Sequence, residues 1–445
     1  MRRVWYQRRQ TPARQKDSTP RKRSLINIIG PGFITGAADD DPSGIATYSQ
    51  TGAQFGFGQL WTALYQVPLL LAVQECCGRI GAVTGKGLAG VIKEHYSRKI
   101  LIGIVLLVLV ANIINIGADI GAVAASARLV YPAPFWIYAL ITVAVVISLE
   151  IWMSYPDYAN ILKWLALALL AYPATAILVA NDWPTILRAT FVPHIEFNTA
   201  FLFIITGVLG TSISPYMFFW QASEEVEEEN EVAAREGRGG AAQLPPHFIR
   251  NMRIDTSIGM ISSQLVQWFI IITTGTVLFA HGVKNINSAA DAAAALEPLV
   301  KSFPHSGQIA RGIFAFGVVG LGLLAIPVLS GSAAYAMAEA LSWKEGLSRK
   351  FYDARGFYGV ILLATLVGLG LNFIGVDPIK ALIYTAVFNG IAAVPLLYVI
   401  ARMNGRADIL GEYRGGPLSR FFVWLAFVVM SVAGAALIYT TVHGG

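Results

Sequence analysis

The stretch GAADDDPSG, residues 36–44, interrupts an apolar segment that otherwise runs through residues 28–58. A charged side chain at the centre of a bilayer costs about 2.5–3.5 kcal/mol on insertion scales, so three neighbouring aspartates must line a polar path rather than face lipid. The proline removes a backbone donor and the glycine loosens the chain, so the helix is predicted to unwind here and to turn carbonyl oxygens toward a cavity. These oxygen ligands predict a cation site at mid-membrane. The residues concerned are Asp39, Asp40, Asp41, Pro42, Ser43 and Gly44.

The composition is that of an integral membrane protein. Over 445 residues the chain is 55% hydrophobic and 13% charged, with a mean hydropathy of +0.57, whereas soluble domains are about 25% charged. Because about 20 apolar residues cross the hydrocarbon core, the pattern predicts an all-α fold of transmembrane helices. The eleven predicted spans are residues 28–56, 59–81, 100–129, 135–153, 157–180, 199–222, 255–280, 309–340, 357–375, 378–400 and 418–441.

Charged residues are unevenly distributed around these spans. With the N-terminus in the cytoplasm, only six of the 33 lysines and arginines fall near the outer face, as the positive-inside rule requires. An odd number of spans then places the C-terminus outside the cytoplasm, with the chain in the cell (inner) membrane. Residues 1–24 are predicted to form a disordered basic cytoplasmic tail. The acidic run at 224–231 is either a solvated helix end or a cytoplasmic exit funnel or magnesium sensor.

The net charge of +6 does not indicate nucleic-acid binding. The basic residues are dispersed along the membrane edges instead of forming one patch. We therefore expect the lipid bilayer, and not nucleic acid, to be the surface that they contact.

A second interruption, GTSISPY at residues 210–216, falls in the sixth predicted span. Two interrupted spans, five helices apart, are typical of inverted-repeat transporters that bind substrate between the breaks. The repeats would cover residues 25–180 and 199–400, with a cytoplasmic loop at 223–254 and an extra helix at 418–441.

The two breaks supply a specific set of candidate oxygen ligands. Carbonyl groups at the ends of half-helices, and the associated dipoles, favour a cation. Asp41 would supply the formal negative charge, and the carbonyl of Thr211 and the hydroxyl or carbonyl of Ser214 would supply further oxygens. The alternative is that Pro42 and Pro215 are ordinary kinks packed by neighbouring helices, which membrane proteins tolerate.

Further polar residues lie in other spans. Asn112, Asn115 and Asp119 lie on one face of the third span. Asp119 either lines the cavity or belongs to a polar strip that joins helices. In the tenth span, Asn389 and Tyr384 could reach the same space.

Four stretches resemble the NRAMP family of divalent-metal transporters. GPGFITGAADDDPSGIATYSQTGAQFG at 30–56 resembles the family's first-helix signature, and RIGAVTGKGLAGVIKEHY at 79–96 resembles the segment after its second helix. GTSISPYMFFWQAS at 210–223 occupies the place of the sixth-helix methionine-proline-histidine motif, and RADILGEY at 406–413 resembles the loop after helix ten. The resemblance implies a LeuT-like fold: two inverted five-helix repeats plus one helix, with helices 1 and 6 broken at mid-membrane.

The chain departs from the family pattern at the metal ligands. The family's aspartate ligand falls on Asp41, but its asparagine ligand falls on Gly44 and its methionine ligand on Ser214. The histidine that follows the proline falls on Tyr216. Loss of the thioether removes the soft donor that favours transition metals over hard cations.

The acidic pair of the family's third helix, which is linked with proton movement, falls on Asn115 and Ala118. An oxygen-only site with extra negative charge from Asp39 and Asp40 suits a partly hydrated Mg²⁺, which sheds its water reluctantly. Mn²⁺ has overlapping ligand preferences. The pattern therefore resembles the NRAMP-related magnesium transporters, which implies transport of Mg²⁺ and Mn²⁺ by alternating access without proton coupling.

Two alternatives remain open. One is a proton-coupled Mn²⁺ or Fe²⁺ transporter of the same fold; the other is an amino-acid carrier of the LeuT-like group, which the three aspartates disfavour because they suit a cation. No span contains a Ser-His or HExxH arrangement, so no enzyme activity is expected. We also expect no organic cofactor and no obligatory protein partner.

Overall fold

The structure, a computed structural model, describes residues 30–153, 167–235 and 244–443. Within those ranges the chain folds into helices and loops without a strand. The predicted tail at 1–24 and the first part of the fifth predicted span lie outside the described residues. The α-helices are α1 (Pro31–Asp39), α2 (Pro42–Phe55), α3 (Thr62–Thr84), α4 (Leu88–His95), α5 (Arg98–Val130), α6 (Phe135–Trp152), α7 (Ala171–Val179), α8 (Trp183–Phe191), α9 (Thr199–Ser212), α10 (Pro215–Arg235), α11 (Pro246–Val277), α12 (Ala289–Ala294), α13 (Ser306–Leu341), α14 (Arg355–Leu371), α15 (Pro378–Asn404), α16 (Ala407–Leu410) and α17 (Pro417–His443).

Most of the long helices can cross a bilayer. Eight spans of at least 18 residues are apolar enough to do so within the described part of the chain, and α14 is a shorter apolar helix. The first predicted span is divided between α1 and α2, and the sixth between α9 and α10. Both divisions fall where the sequence places the interruptions, and the class of an all-α membrane protein is confirmed.

The sixth span lies at the centre of the molecule. In its apolar window, within residues 199–233, 94% of the residues are buried, against 28% in α6 and in α17. The second half of the first span, α2, contacts α9, α11 and α15. The two broken spans are therefore enclosed by protein, while α6 and α17 face lipid.

Each break has a proline at the first position of the helix that follows it. Pro42 begins α2 and Pro215 begins α10, where a missing backbone N–H costs little because that group has no intrahelical partner. Asp41 caps α2, since its Oδ1 accepts hydrogen bonds from the Gly44 backbone N–H at 2.7 Å and the Ser43 hydroxyl at 2.6 Å. These bonds satisfy donors that the interrupted helix leaves free.

The half-helix α1 is tied closely to α11. A Cβ built on Gly36 would lie 2.4 Å from the carbonyl carbon of Gly259, so the two backbones are in direct contact. At the N-terminus of α1, the Asp255 carboxylate accepts hydrogen bonds from the backbone N–H groups of Gly30 at 2.9 Å and Gly32 at 2.7 Å. A carboxylate is favourable there because the helix dipole is positive at that end.

The predicted cytoplasmic loop at 223–254 is much shorter in the structure. The helix α10 continues to Arg235 and α11 begins at Pro246, so the acidic run forms a helix. Glutamate and alanine favour helix strongly, and they extend α10 beyond the apolar segment that the sequence pattern detects.

The contact between α1 and α11 gives a test of this packing. Replacing Gly36 with alanine places a methyl group against the Gly259 backbone, and overpacking of this kind costs about 1–3 kcal/mol. The matched control is Gly103→Ala in α5, because a Cβ at Gly103 meets nothing within 4 Å. We expect a lower melting temperature in detergent for Gly36→Ala and an unchanged or higher one for Gly103→Ala; equal melting of the two variants would contradict the packing.

Candidate functional site

The two breaks meet in the interior. The hydroxyl of Tyr216 donates to the carbonyl of Ala38 at 3.0 Å, and the hydroxyls of Ser43 and Thr211 lie 3.3 Å apart. The side chains of Ser43, Thr211 and Tyr216 are all buried. The residues that the sequence selected in two distant segments are thus brought together and kept away from lipid.

Asp41 lies at the junction of the breaks with little access to solvent, its exposed fraction being 1%. Its Oδ1 accepts from Ser43 and Gly44, and its Oδ2 accepts from the Asn115 amide on α5 at 3.1 Å. Each of these donors is neutral. The carboxylate is therefore oriented from both sides, and no basic side chain in the described part of the chain forms an ion pair with it.

Ser214 and Thr211 place further oxygens on the other side of the junction. The Ser214 hydroxyl lies 2.5 Å from the Gly210 carbonyl and 2.9 Å from the Thr211 carbonyl. With one hydrogen it donates to one carbonyl at a time, which leaves lone pairs on the hydroxyl and on both carbonyls. A Cβ on Gly44 would lie 3.0 Å from the Asp39 carbonyl oxygen and 3.4 Å from Thr211 Oγ1, so the absence of a side chain at residue 44 lets these oxygens approach its backbone closely.

Asp39 and Asp40 point toward a different helix. The Ser263 hydroxyl on α11 donates to Asp39 Oδ2 and lies 3.4 Å from Asp40 Oδ1. Close by, the Gln264 amide donates to the hydroxyl of Ser212 at 3.2 Å. Ser263 and Gln264 are not among the residues predicted from the sequence. Their signal was available, because Ser263, Gln264 and Gln267 repeat at helical spacing inside an apolar span.

The polar residues predicted in the third and tenth spans differ in whether they lie near the junction. Asn115 contacts Asp41 as described, whereas Asp119 is fully buried and makes no hydrogen bond within the described residues. Asp119 is nevertheless near enough to Asp41 for their charges to interact. Asn389 is buried and its amide nitrogen has no partner in the described part of the chain. The expectation for Tyr384 is wrong, because that side chain is 61% exposed and packs on Phe203.

The donor set at the junction is chemically uniform. Oxygen atoms of one carboxylate, hydroxyls and backbone carbonyls surround it, and within residues 30–153, 167–235 and 244–443 no group of three or more His, Cys, Asp or Glu side chains is arranged to hold a metal. Carboxylate, carbonyl and water ligands suit Mg²⁺, Ca²⁺ and Mn²⁺. The junction can therefore hold a hard divalent cation that keeps part of its water shell.

The acidic run of α10 has a structural role at Glu227. This carboxylate accepts hydrogen bonds from the backbone N–H groups of Leu347 at 2.8 Å and Ser348 at 3.1 Å, and from the hydroxyl of Tyr335. It thereby fixes the loop between α13 and α14 against α10. In that loop, the pKa of Glu345 is raised to about 9. Partial burial is the larger cause, and the nearby carboxylates of Glu339 and Glu227 add to the increase.

This shift predicts a pH dependence of stability. Between about pH 4.5 and pH 9 the folded chain retains a proton on Glu345 that the unfolded chain has lost, so this group makes the protein less stable as the pH rises through that window. Glu345→Gln removes the titrating group. We expect its melting temperature in detergent to fall less with rising pH than that of the parent, whereas Glu412→Gln, at an exposed glutamate, follows the parent. A Glu345→Gln curve parallel to the parent's would refute the assignment.

Sequence comparisons reveal relatives along nearly the whole chain. A family model described as Natural resistance-associated macrophage protein-like (Nramp) matches residues 32–440. The divalent metal cation transporter MntH of Caldanaerobacter subterraneus is 24% identical over 435 residues, which cover 95% of each chain. The protein of the same name from Ralstonia nicotianae is 24% identical over 446 residues, which cover 96% of this chain and 93% of the relative.

Solved structures share the fold. The manganese transporter of Eremococcus coleocola superposes with a TM-score of 0.72 at 16% identity, covering 94% of this chain and 86% of that chain. Mhp1, a nucleobase-cation-symport-1 family transporter, superposes with a TM-score of 0.54 at 12% identity, covering 93% of each chain. At such identities the likeness shows the fold alone, and it confirms the predicted LeuT-like architecture.

Proposed function

Because this chain belongs to the natural resistance-associated macrophage protein-like (Nramp) family, a family of membrane transporters, we propose that it moves Mn²⁺ across the cell membrane by alternating access around Asp41. The names of the relatives support a divalent metal cation as substrate, and manganese is the ion named for the Eremococcus coleocola transporter that shares the fold. In keeping with the positive-inside rule, the N-terminus lies in the cytoplasm and the C-terminus outside it.

One observation carries the proposal: a buried carboxylate lies where two broken helices meet. Asp41 brings a negative charge to a place enclosed by the ends of α1, α2, α9 and α10, and Ser43 and Thr211 join the two breaks there. The C-terminal ends of α1 and α9 add carbonyl oxygens and partial negative charge. A divalent cation is the substrate that matches this arrangement, whereas the carboxylate of an amino acid would be repelled.

Alternating access follows from the burial of the ligands. Asp41, Thr211 and Ser214 are each at most 1% exposed, so a bound ion would be enclosed from both sides of the membrane. Release then requires one half-helix to move. We assign that movement to the half-helix α1, and it requires the hydrogen bonds to Asp255 and the backbone contact at Gly36, which hold α1 to α11, to break.

Mg²⁺ is the second candidate substrate, favoured by the donor set rather than by the relatives. With Gly44 and Ser214 in the places of two of the family's metal ligands, the site offers oxygen and no sulfur. Mg²⁺ is usually held through one or two carboxylates while it keeps several waters, and Mn²⁺ accepts the same ligands. Transition metals with a preference for sulfur are the ions that this site disfavours.

Metal transport by this site could be coupled to proton movement or uncoupled from it. Asn115 and Ala118 replace the third-helix acidic pair that the resemblance associates with proton movement, which favours uncoupled transport, whereas the buried carboxyl of Asp119 nearby offers a proton carrier. Uptake of Mn²⁺ and of Mg²⁺ into vesicles containing the protein, with a pH dye in the lumen, distinguishes them. Acidification that accompanies metal uptake supports coupling, and metal uptake at constant lumenal pH supports uncoupled transport.

The role of Asp41 is tested by Asp41→Asn, which preserves shape and a capping acceptor but removes the charge. We expect uptake of both ions to fall to the level of vesicles without protein, because the remaining junction oxygens are neutral. The control is Asp353→Asn at an exposed aspartate, which should transport like the parent. Uptake that persists in a folded Asp41→Asn variant would remove Asp41 from the site.

The selectivity of the site is tested by Ser214→Met. A thioether at this position adds a soft donor, so Cd²⁺ should compete more effectively against Mn²⁺ and Mg²⁺, by on the order of tenfold in the ratio of inhibition constants. Ser431→Met in α17 serves as the control, since that residue lies in a helix that faces lipid. An unchanged ratio in Ser214→Met would mean that residue 214 does not face the ion.

A further inference from the structure

Four carboxyl groups are buried around the breaks, and none of them has a basic partner among the described residues. The exposed fractions are 0% for Asp39, 3% for Asp40, 1% for Asp41 and 0% for Asp119. None of the ion pairs among the described residues includes any of the four. A buried carboxyl group without a positive partner either keeps a proton or is stabilised in its ionised form by a cation.

The four groups divide between two sides of the first break. Asp41 is oriented by Ser43, Gly44 and Asn115. Asp39 and Asp40, in contrast, converge on the hydroxyl of Ser263, which donates to Asp39 Oδ2 and lies 3.4 Å from Asp40 Oδ1. Two adjacent carboxylates thus meet at one atom of α11, separate from the contacts of Asp41.

Acceptor oxygens without donors lie beside this pair. Asp39 Oδ1 and Gln264 Oε1 are buried and have no hydrogen-bond partner within the described residues. Gln264 is 2% exposed and its side chain lies beside Asp39. Its amide nitrogen already donates to Ser212 at 3.2 Å. An unpaired buried acceptor is costly, and more so when it is charged, so a cation bound beside these oxygens would satisfy them.

We propose that Asp39, Asp40, Ser263 and Gln264 form a second site for a hard divalent cation, next to the one at Asp41. Carboxylate, hydroxyl and amide oxygens are the ligands that Mn²⁺ and Mg²⁺ accept. Ions in neighbouring sites repel each other, which weakens the binding of each and eases its release, as in multi-ion conduction pathways.

The inference rests on the proposed function for its first site, and binding stoichiometry tests the second independently. Equilibrium dialysis of the purified full chain in detergent with radioactive Mn²⁺ should give about two ions per chain for the parent. The double variant Asp39→Asn with Asp40→Asn should bind about one ion, as should Asp41→Asn, and the two losses concern different sites. Thermal melting of each variant verifies that it is folded.

A milder variant covers the case in which the double variant does not fold. Gln264→Met keeps the volume of the side chain but replaces the amide oxygen with sulfur, so affinity at the second site should weaken by on the order of tenfold. The control is Gln308→Met, at an exposed glutamine, which should bind like the parent. A Gln264→Met variant with unchanged binding contradicts the assignment of that ligand and with it the site.

The outcomes separate this inference from the proposed function. One ion per parent chain, lost in Asp41→Asn and retained in the double variant, overturns the second site and leaves transport around Asp41 intact. Two ions in the parent and one in the double variant support the second site, even where Asp41→Asn still transports and the proposed function fails. No saturable Mn²⁺ binding by the parent overturns the second site.

Discussion

Burial of a carboxylate at an interrupted helix is the constraint on which the rest of the structure depends. Burial removes solvent water from the Asp41 carboxylate, so its oxygens must accept hydrogen bonds from donors in the protein. These donors are Ser43, Gly44 and Asn115. These neutral donors hold the carboxylate without cancelling its charge. The negative charge therefore remains available to a cation, and the surrounding helices must enclose it because lipid cannot.

The same requirement explains how the two breaks are held together. Unwound backbone within a membrane must be buried in protein, and the hydroxyl of Tyr216 satisfies the carbonyl of Ala38 across the interface. The half-helix α1 is held in turn by Asp255 at its N-terminus. Among the described residues, hydrogen bonds and backbone contact hold α1, and no ion pair does. Displacing α1 from these contacts therefore does not separate buried opposite charges, which is a costly step. A transporter that alternates between two states benefits from such a restraint.

The ligand types at the junction depend on two residues that differ from the family pattern and on two additional aspartates. A glycine and a serine occupy places where the resemblance leads one to expect an amide and a thioether, and neither residue provides a soft donor. The two additional aspartates increase the negative charge without adding a soft ligand. Membership of the family thus determines the class of substrate, while these particular residues bear on which divalent ion is preferred and on how many ions the protein holds.

The sequence by itself determined the membrane class and the positions of both breaks, and it predicted Asp41 as the charged residue of the site. Hydropathy, prolines and charged residues in apolar spans are properties of a short stretch of chain, so they can be read without the tertiary structure. Only the tertiary structure decided which side chains meet. Asp39 and Ser263 are 224 residues apart, and Tyr384 faces outward although its span also carries the buried Asn389. A sequence pattern shows which residues share one face of a helix. Which neighbouring helix that face contacts depends on how the helix is rotated about its axis, and close packing such as that between Gly36 and Gly259 sets this rotation. That packing selected α11 as the partner of the acidic pair.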